Sequence, residues 1–395
     1  METSQEINLI TNKKIAIVGG GPGGLTLARL LQLKGADVKV YERDHSQAAR
    51  VQGAIVDLHF ESGLKVIEAA GLLEEFKANY LPGADKFRVV DPKANILLDE
   101  DSESKEETFG NESFRPEIAR GALRDILIAA LLPGTVVWDS QVESMLETEN
   151  KWELRFRNGT SAIADIVIGS DGYRSKIRPY LTDIKALYSG AMIIQGDIEH
   201  PETDCPEMYE LINQANLMAM GSGATIAAQP RGDGAITFYA ASLYPEGWIK
   251  TSAIDFNDPD KVRDYLIDHF VDWNPVFFTL FAACKQFVLR PLNYFPFEQR
   301  WETKDNLTLL GDAAHLMPPN GEGVNLAMLD ALDLSDCLTN TEFKDLNEAI
   351  STYENIMLER SASLCRETVE GIKDFAAPTD ESVQEFIKIF TGDRS

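Results

Sequence analysis

The chain has 395 residues, more than one ordinary hydrophobic core accommodates, so we predict two domains. Its 63 acidic and 37 basic side chains give a formal net charge of −26, which argues against nucleic acid and anionic membranes as partners. The four cysteines form no CxxC pair, and the chain shows neither a signal-peptide pattern nor a long apolar run. We therefore predict a cytoplasmic protein with no disulfide, metal site or membrane span.

The first informative stretch covers residues 13–44, where a short apolar run rich in β-branched residues predicts a buried parallel strand. A GxGxxG pattern follows, formed by Gly19, Gly21 and Gly24, and then apolar residues at helical spacing. In a dinucleotide-binding turn these glycines permit a sharp turn, close approach of a pyrophosphate and close helix packing. The free N–H groups of the helix start attract the phosphates.

A second strand ends at Glu42, whose carboxylate can accept hydrogen bonds from ribose hydroxyls. This strand–turn–helix–strand frame favours a dinucleotide site over an ordinary glycine-rich turn. On these residues alone, NAD(P) and FAD both remain open.

Further along, a strand ends near Asp57, and a short helix covers residues 64–70. Residues 85–99 predict a two-stranded excursion that opens a second domain. A helix over residues 122–132 carries Arg124, and a buried strand then leads into the turn Gly169-Ser170-Asp171-Gly172. Several β-like runs between residues 190 and 245 predict a mostly antiparallel sheet that could hold a substrate.

The third informative stretch is an apolar strand that ends at Gly311-Asp312, at the edge where parallel strands deliver residues to a cofactor. A loop rich in proline and glycine follows, then a predicted helix from Asn325 to Leu338. The remainder is predicted to be helical, with residues 353–372 as one long helix.

These three motifs, in this order and spacing, resemble the single-component flavoprotein aromatic monooxygenases, the para-hydroxybenzoate hydroxylase-like group. The resemblance extends from about residue 13 to 338. Within that group the chain is most similar to the tetracycline-inactivating flavin monooxygenases. The matching stretches are VYERD at 40–44, DLH at 57–59, PEIxRxxLRxIL at 116–127, IQxDI at 194–198 and GDAAHLMPP at 311–319.

The resemblance implies an α/β fold: a Rossmann-like FAD-binding domain with a parallel sheet, a substrate domain with an antiparallel sheet, and C-terminal helix. The expected FAD-binding domain comprises residues 1–75, 105–180 and 285–340. The expected substrate-binding domain comprises residues 76–104 and 181–284, and residues 341–395 form a C-terminal helical segment.

The resemblance also implies roles in binding FAD and NADPH. Arg50 matches the position assigned to NADPH, with a solvated loop arginine as the alternative. Arg124 is expected near the FAD pyrophosphate, with a helix-surface ion pair as the alternative. The full expected cofactor set is Gly19, Gly21, Gly24, Glu42 (ribose), Arg43 (adenine end), Arg50, Asp57, Arg124, Asp171, Gly172, Asp312 (ribityl or pyrophosphate), Gly323, Val324 and Asn325.

The expected substrate residues are Gln195, Ala215, Thr237 and Pro319. Gln195 matches a glutamine that contacts the drug in the tetracycline-inactivating enzymes. Ala215 and Thr237 stand where those enzymes carry an arginine and a histidine on the substrate sheet. The resemblance therefore predicts hydroxylation of an aromatic or polyketide-like small molecule, with a tetracycline as one candidate.

No side chain is assigned a catalytic role, because the flavin supplies the chemistry. His315 is expected to pack structurally rather than to act as an acid or base. Two other functions remain open: a flavin-dependent halogenase or reductase, although Gly247-Trp248-Ile249 lacks the halogenase motif, and a flavin-bearing protein that sequesters its ligand. The sequence favours a monomer and leaves NADH against NADPH open.

Overall fold

The computed structural model describes residues 9–49, 55–99, 109–112 and 114–391, with side chains described up to residue 388 in the last helix. The strands are β1 (Lys14–Val18), β2 (Asp37–Tyr41), β3 (Ile55–Asp57), β4 (Phe87–Val90), β5 (Ile96–Asp99), β6 (Glu117–Ala119), β7 (Val136–Val137), β8 (Val142–Thr148), β9 (Lys151–Phe156), β10 (Ser161–Ala164), β11 (Ile166–Gly169), β12 (Leu187–Ile198), β13 (Asn216–Gly221), β14 (Ala224–Pro230), β15 (Ile236–Leu243), β16 (Phe287–Tyr294) and β17 (Leu307–Leu309).

The α-helices are α1 (Pro22–Leu33), α2 (Lys65–Ala69), α3 (Leu73–Lys77), α4 (Arg120–Ala129), α5 (Pro201–Asp204), α6 (Pro206–Ile212), α7 (Trp248–Thr251), α8 (Pro259–His269), α9 (Val276–Ala283), α10 (Asp312–His315), α11 (Gly323–Thr339), α12 (Leu346–Glu370), α13 (Ile372–Ala376) and α14 (Asp380–Thr391). A π-helical turn covers Phe60–Leu64, and a 3₁₀ turn covers Arg178–Tyr180.

The parallel sheet has the strand order β17-β11-β1-β2-β7. Ile15 of β1 pairs with Ile166 of β11 on one side and with Val38 of β2 on the other. All four residues of β11 are buried, as expected for a parallel strand that is covered on both faces. The predicted α/β fold with a parallel sheet is confirmed.

Helix α1 follows β1 through the glycine loop and begins with Pro22, whose fixed φ suits the first turn. Its apolar residues are buried against the parallel sheet and α11. At Gly23 an added Cβ would lie 2.7 Å from Leu310 Cδ1 and 2.8 Å from the Ala327 carbonyl oxygen. Glycine here therefore lets α1 approach α11 closely.

The large sheet has the order β16-β12-β15-β14-β13-β4-β5 and is antiparallel except where β4 pairs with β13. One face is buried against α8 and α9. The opposite face carries Ile193, Gln195 and Tyr239, and part of it is covered by α13. Because β16 pairs with β12, this sheet extends beyond residue 284, where the expected substrate domain ends; the division into domains stays a prediction.

A two-stranded ribbon of β3 and β6 is separate from the parallel sheet, the large sheet and the three-stranded sheet β10-β9-β8. The sequence predicted a strand near Asp57 but not its partner β6. Helix α4 begins directly after β6, at Arg120. The ribbon is therefore continuous with the helix that carries Arg124.

The C-terminal helices pack against the parallel sheet and the large sheet. Helix α12 is one long helix, as predicted, but it begins at Leu346 because the Asp345 carboxylate accepts a hydrogen bond from the Glu348 N–H at 2.9 Å. Tyr353 is fully buried and donates to the Leu309 carbonyl oxygen at 2.8 Å. Within the described part of the chain, no helix combines the length and apolar character needed to cross a membrane.

Candidate active site

The glycine loop between β1 and α1 leaves space for a phosphate. Gly19 has a φ of +109°, and an added Cβ would lie 2.4 Å from the Ser170 carbonyl oxygen, so only glycine fits. At Gly24 an added Cβ would lie 2.3 Å from the Gly19 carbonyl oxygen. Gly21 differs, because an added Cβ would meet nothing within 4 Å. Open space at a helix N-terminus fits the pyrophosphate of FAD.

Glu42 lies directly under this loop at the end of β2. Its Oε2 accepts from the Gly20 N–H at 2.6 Å, and its Oε1 accepts from the Asp44 N–H at 2.9 Å. Each carboxylate oxygen can accept a further hydrogen bond, so the geometry is compatible with a ribose hydroxyl. The structure thus fixes the carboxylate against the glycine loop, and its contact with the ribose of FAD stays a prediction.

Arg124 is buried rather than on a helix surface. Its guanidinium contacts the Gly20 and Gln47 carbonyl oxygens at 3.4 and 3.2 Å and the Asp44 carboxylate at 3.3 Å. These contacts tie the glycine loop to the segment after β2. Contact with the FAD pyrophosphate stays a prediction.

The Asp171-Gly172 turn abuts the same loop. Asp171 Oδ2 accepts from the Lys176 N–H at 2.6 Å, and burial raises the pKa of the carboxyl group. Its buried Oδ1 has no donor among the residues that the structure describes. Gly172 has a φ of +78°, which favours glycine.

Asp312 begins α10 at the carboxyl end of β17. Although solvent reaches this residue, the protein around it desolvates the carboxyl group and raises its pKa, an effect that His315 and Arg120 partly offset. The position agrees with the predicted edge of the parallel sheet. A contact with the ribityl chain or pyrophosphate stays a prediction.

His315 belongs to a buried ion-pair network. Its Nε2 lies 2.6 Å from Asp330 Oδ2, and the same carboxylate accepts from the Gly311 N–H at 2.9 Å and from Arg360 at 2.7 Å. Burial opposes protonation of His315, but Asp330 raises its pKa overall. This geometry supports the packing role and gives His315 no route to a reacting atom.

Helix α11 begins at Gly323, two residues before the predicted start. The first N–H groups of a helix lack carbonyl partners within it. The N–H groups of Gly323 and Val324 are therefore available to donate to the electron-rich ring of a bound cofactor. Asn325 acts differently, because its Oδ1 accepts from the His59 and Gly63 N–H groups and its Nδ2 donates to the Asp57 carbonyl oxygen. Its side chain therefore holds the loop after β3.

His59 lies in the DLH stretch at 57–59, and the sequence assigned it no role. Its Nε2 lies 2.7 Å from Asp57 Oδ2, and its Nδ1 lies 3.0 Å from Glu322 Oε1. Burial opposes protonation, but these two carboxylates raise the pKa of His59 to about 9. The imidazolium thus joins the end of β3 to the start of α11.

The face of the large sheet that carries Ile193, Gln195 and Tyr239 is called the substrate face below, after its expected role. It carries two of the four expected substrate residues. Gln195 accepts through Oε1 from Arg290 Nε at 2.5 Å. Thr237 is buried, and its hydroxyl donates to Asp197 at 2.5 Å. Gln195 thus lies on this face as predicted, while the Thr237 hydroxyl is engaged within the sheet.

The other expected residues are placed differently. Ala215 is buried in the turn before β13, one residue short of the sheet on which it was expected. Pro319 is exposed in the loop between α10 and α11, and Arg43 is exposed just after β2. Arg50 lies outside the described residues.

Sequence reasoning missed a group of arginines around Tyr239. Burial raises the pKa of the Tyr239 hydroxyl. The positive charges of Arg120, Arg290 and Arg231 lower this pKa, and the negative charge of Asp197 raises it. The charge of Arg120 also lowers the pKa of Asp312. Only its place in the PEIxR stretch could have pointed to it.

This geometry matches that of a known family. A family model described as "FAD binding domain" matches residues 12–222 and 297–368, more than half of the chain. The chain belongs to this family. FAD binding is supported by this family match, and the assignment of Gly21 and Glu42 to the dinucleotide stays a prediction.

Several relatives are named monooxygenases. "Monooxygenase asqM" of Emericella nidulans is 27% identical over 401 residues, which cover 88% of this chain and 88% of the relative. "3-amino-4-hydroxybenzoate 2-monooxygenase PtmB3" of Streptomyces platensis is 27% identical over 366 residues, which cover 92% and 89%. The chain is a flavin-dependent monooxygenase of the aromatic-hydroxylase type.

Solved structures share the fold. Klebsiella pneumoniae HpxO, complexed with FAD and uric acid, superposes with a TM-score of 0.74 at 22% identity, covering 95% of this chain and 92% of HpxO. The tetracycline destructase Tet(51) superposes with a TM-score of 0.72 at 21% identity, covering 94% of each chain. The narrower tetracycline-inactivating family is supported only at the level of this fold.

Proposed function

We propose that this enzyme uses NADPH to hydroxylate an aromatic or polyketide-like small molecule that carries a negative charge. The carrying observation is the set of arginines on one face of the large sheet: Arg290 donates to Gln195 at 2.5 Å, beside Tyr239, and Arg231 lies 3.8 Å from Asp197. The charge of Arg120 also lowers the pKa of both Tyr239 and Asp312. When bound, FAD accepts a hydride from the nicotinamide, activates O₂ and supplies one oxygen atom. The side chains bind and orient the substrate and exclude water.

The charge of the arginine group supports an anionic substrate. Arg231 is compensated by Asp233 at 2.6 Å and by Asp197 at 3.8 Å. Among the residues that the structure describes, Arg120 and Arg290 form no ion pair with an acidic side chain. In a chain of net charge −26, two exposed guanidinium groups with no acidic partner in the described part of the chain favour a carboxylate or enolate as their ligand.

The cover of the substrate face supports a small aromatic molecule. Helix α13 packs on this face, where Phe375 and Tyr239 both pack against one small buried cluster, and the Phe375 carbonyl oxygen accepts from Thr225 Oγ1 at 2.6 Å. The named substrate of PtmB3, 3-amino-4-hydroxybenzoate, is an aromatic acid of the proposed kind. A tetracycline, with its acidic enol edge, remains a candidate through Gln195 and the fold of Tet(51).

The competing function is a flavin protein that only sequesters its ligand. Such a protein would not consume NADPH faster when the ligand is added. The halogenase or reductase alternative is distinguished by the product, because only a hydroxylase adds one oxygen atom. We expect a monomer in the cytoplasm, and gel filtration tests the first of these expectations.

The experiment follows NADPH oxidation and product mass for the FAD-loaded enzyme with matched pairs of compounds. 4-Hydroxybenzoate is compared with 4-hydroxybenzamide, and 3-amino-4-hydroxybenzoate and a tetracycline are tested alongside. Stimulation by the acids and not by the amide, with a gain of one oxygen, would support the proposal. Loss of that preference in Arg120→Gln, but not in the control Arg157→Gln at an equally exposed arginine in the turn after β9, would assign it to Arg120. Equal response to acid and amide would refute the anionic substrate.

A further inference from the structure

The β3–β6 ribbon carries a pair of carboxyl groups. Asp57 and Glu117 are direct cross-strand partners, so their side chains lie on the same face of the ribbon. The expected cofactor set includes Asp57 and gives Glu117 no role. Glu117 is only 9% exposed, so its carboxyl group is largely removed from water.

Glu117 also contacts the substrate sheet. The Asn216 side chain, at the first residue of β13, donates through Nδ2 to Glu117 Oε1 at 3.2 Å and to the Ala84 carbonyl oxygen at 3.1 Å. Two oxygens remain: Glu117 Oε2 and Asn216 Oδ1 are both buried and lack a donor among the described residues. Two orphaned acceptors on side chains already bonded to each other are costly, because each is desolvated without compensation.

We propose that Glu117 is a neutral carboxylic acid at neutral pH, which donates its Oε2 proton to Asn216 Oδ1 and so positions the substrate sheet against the ribbon. A single proton satisfies both orphaned oxygens. The result is a paired acid and amide, with Nδ2–H donating to Oε1 and Oε2–H donating to Oδ1. Glu117 is in this account a positioning residue.

The charges around Glu117 favour its protonated form. Asp57 faces it from β3 and is itself bound by His59, which is bound by Glu322. Asp85 faces it from the segment before β4, and Asn216 from β13. Burial, then Asp57 and Asp85, raise the pKa of Glu117 to about 8, although the hydrogen bond from Asn216 opposes this.

Loss of the proton has a structural consequence. Above pH 8 the Oε2–H···Oδ1 hydrogen bond disappears, and a negative charge is placed beside Asp57 and Asp85. Because α4 begins with Arg120 directly after β6, a shift of the ribbon moves Arg120 relative to Tyr239. We therefore expect weaker substrate binding above this pH; that consequence, unlike the protonation state, rests on the proposed function.

Infrared spectroscopy and thermal unfolding test the protonation state without any substrate. Glu117→Gln has the same shape as the protonated acid and can form both hydrogen bonds with Asn216. We expect the wild type at neutral pH to show a protonated-carboxyl band that Glu117→Gln lacks. As the pH rises from 4.5 to 8 the wild type should lose melting temperature relative to Glu117→Gln, and the difference should level off above pH 8. Glu298→Gln, at a side chain 92% exposed, is the matched control and should follow the wild type in both measurements.

Two outcomes would overturn the proposal: an unchanged carboxyl band in Glu117→Gln, or parallel melting profiles for the two proteins. If Glu117→Gln does not fold, Asn216→Ala replaces it. That variant should shift the carboxyl band to higher frequency, because the Oε2–H group loses its acceptor. An unshifted band would count against the proposal equally. None of these readouts depends on turnover, so a wrong substrate assignment leaves them intact.

Discussion

His315 and Asp330 form a buried pair, with 2.6 Å between Nε2 and Oδ2, and Arg360 contacts the other carboxylate oxygen at 2.7 Å. The carboxylate also fixes the Gly311 N–H, so one buried anion holds the loop that presents Asp312. This network explains why a histidine next to the cofactor edge is structural. Its Nε2 is held by Asp330.

Removing the shared anion should unfold this region. Asp330→Ala leaves His315 without its partner and leaves Arg360 with only Asp333, at 2.6 Å. We expect a loss of about 3–5 kcal/mol of unfolding free energy, as for other broken buried ion pairs. Asp336→Ala is the control, because it removes an exposed ion pair with Lys34 and should cost less than about 1 kcal/mol. Chemical denaturation measures both, and equal losses would contradict the buried-network interpretation.

Two substitutions in the glycine loop should distinguish flavin binding from folding. Gly21→Val projects a side chain into open space from an extended backbone, so the protein should fold but lose bound flavin. Gly24→Val places atoms against the Gly19 carbonyl oxygen and should lower the melting temperature as well. Flavin absorbance per protein and melting of the flavin-free proteins distinguish the two. Normal flavin content in Gly21→Val would contradict the placement of the pyrophosphate.

His59 should make stability depend on alkaline pH. Its pKa is raised from 6.5 to about 9, so its stabilising effect is complete below pH 6.5 and is lost as the pH rises through 9. The loss amounts to at most about 3 kcal/mol. We expect His59→Gln to remove this slope between pH 6.5 and 9 in denaturation experiments. A variant that keeps the wild-type slope would show that His59 is not the titrating group.

The uncompensated arginines should set substrate affinity. Arg290→Gln keeps a hydrogen-bond donor near Gln195 but removes the charge, so KM for an anionic aromatic substrate should rise about tenfold or more, as expected for a charged hydrogen bond. The amide analogue should be affected little. The ratio of kcat/KM for acid and amide is the measurement, and an unchanged ratio would remove Arg290 from the substrate site.

The sequence predicted the cofactor frame well because its signals are local. Gly19, Gly21, Gly24 and Glu42 lie within one strand–turn–helix–strand unit. The glycines there are required by the backbone geometry, and the glutamate is expected for its carboxylate. The parallel sheet followed from short apolar runs. The π-helical turn at Phe60–Leu64 and the ribbon strand β6 were missed, because neither has a periodic apolar pattern.

The substrate side was harder to predict because its residues meet only through tertiary contacts. Arg120, Tyr239 and Arg290 come from α4, β15 and β16, and no spacing in the sequence links them. The partnership of Glu117 with Asn216 likewise depends on the packing of a ribbon against a distant strand. Ala215 fell one residue short of its sheet, since the edge of a strand is set by pairing rather than by propensity.

The most direct test of the central claim uses isotopically labelled dioxygen. The FAD-loaded enzyme is incubated with NADPH, labelled O₂ and the aromatic acids above, and the products are analysed by mass spectrometry. The account predicts one labelled oxygen atom in the product, with NADPH consumed only when that compound is present. A flavin-loaded protein that leaves every acid and the tetracycline unlabelled, with NADPH consumption unchanged by any of them, would contradict the proposed hydroxylation.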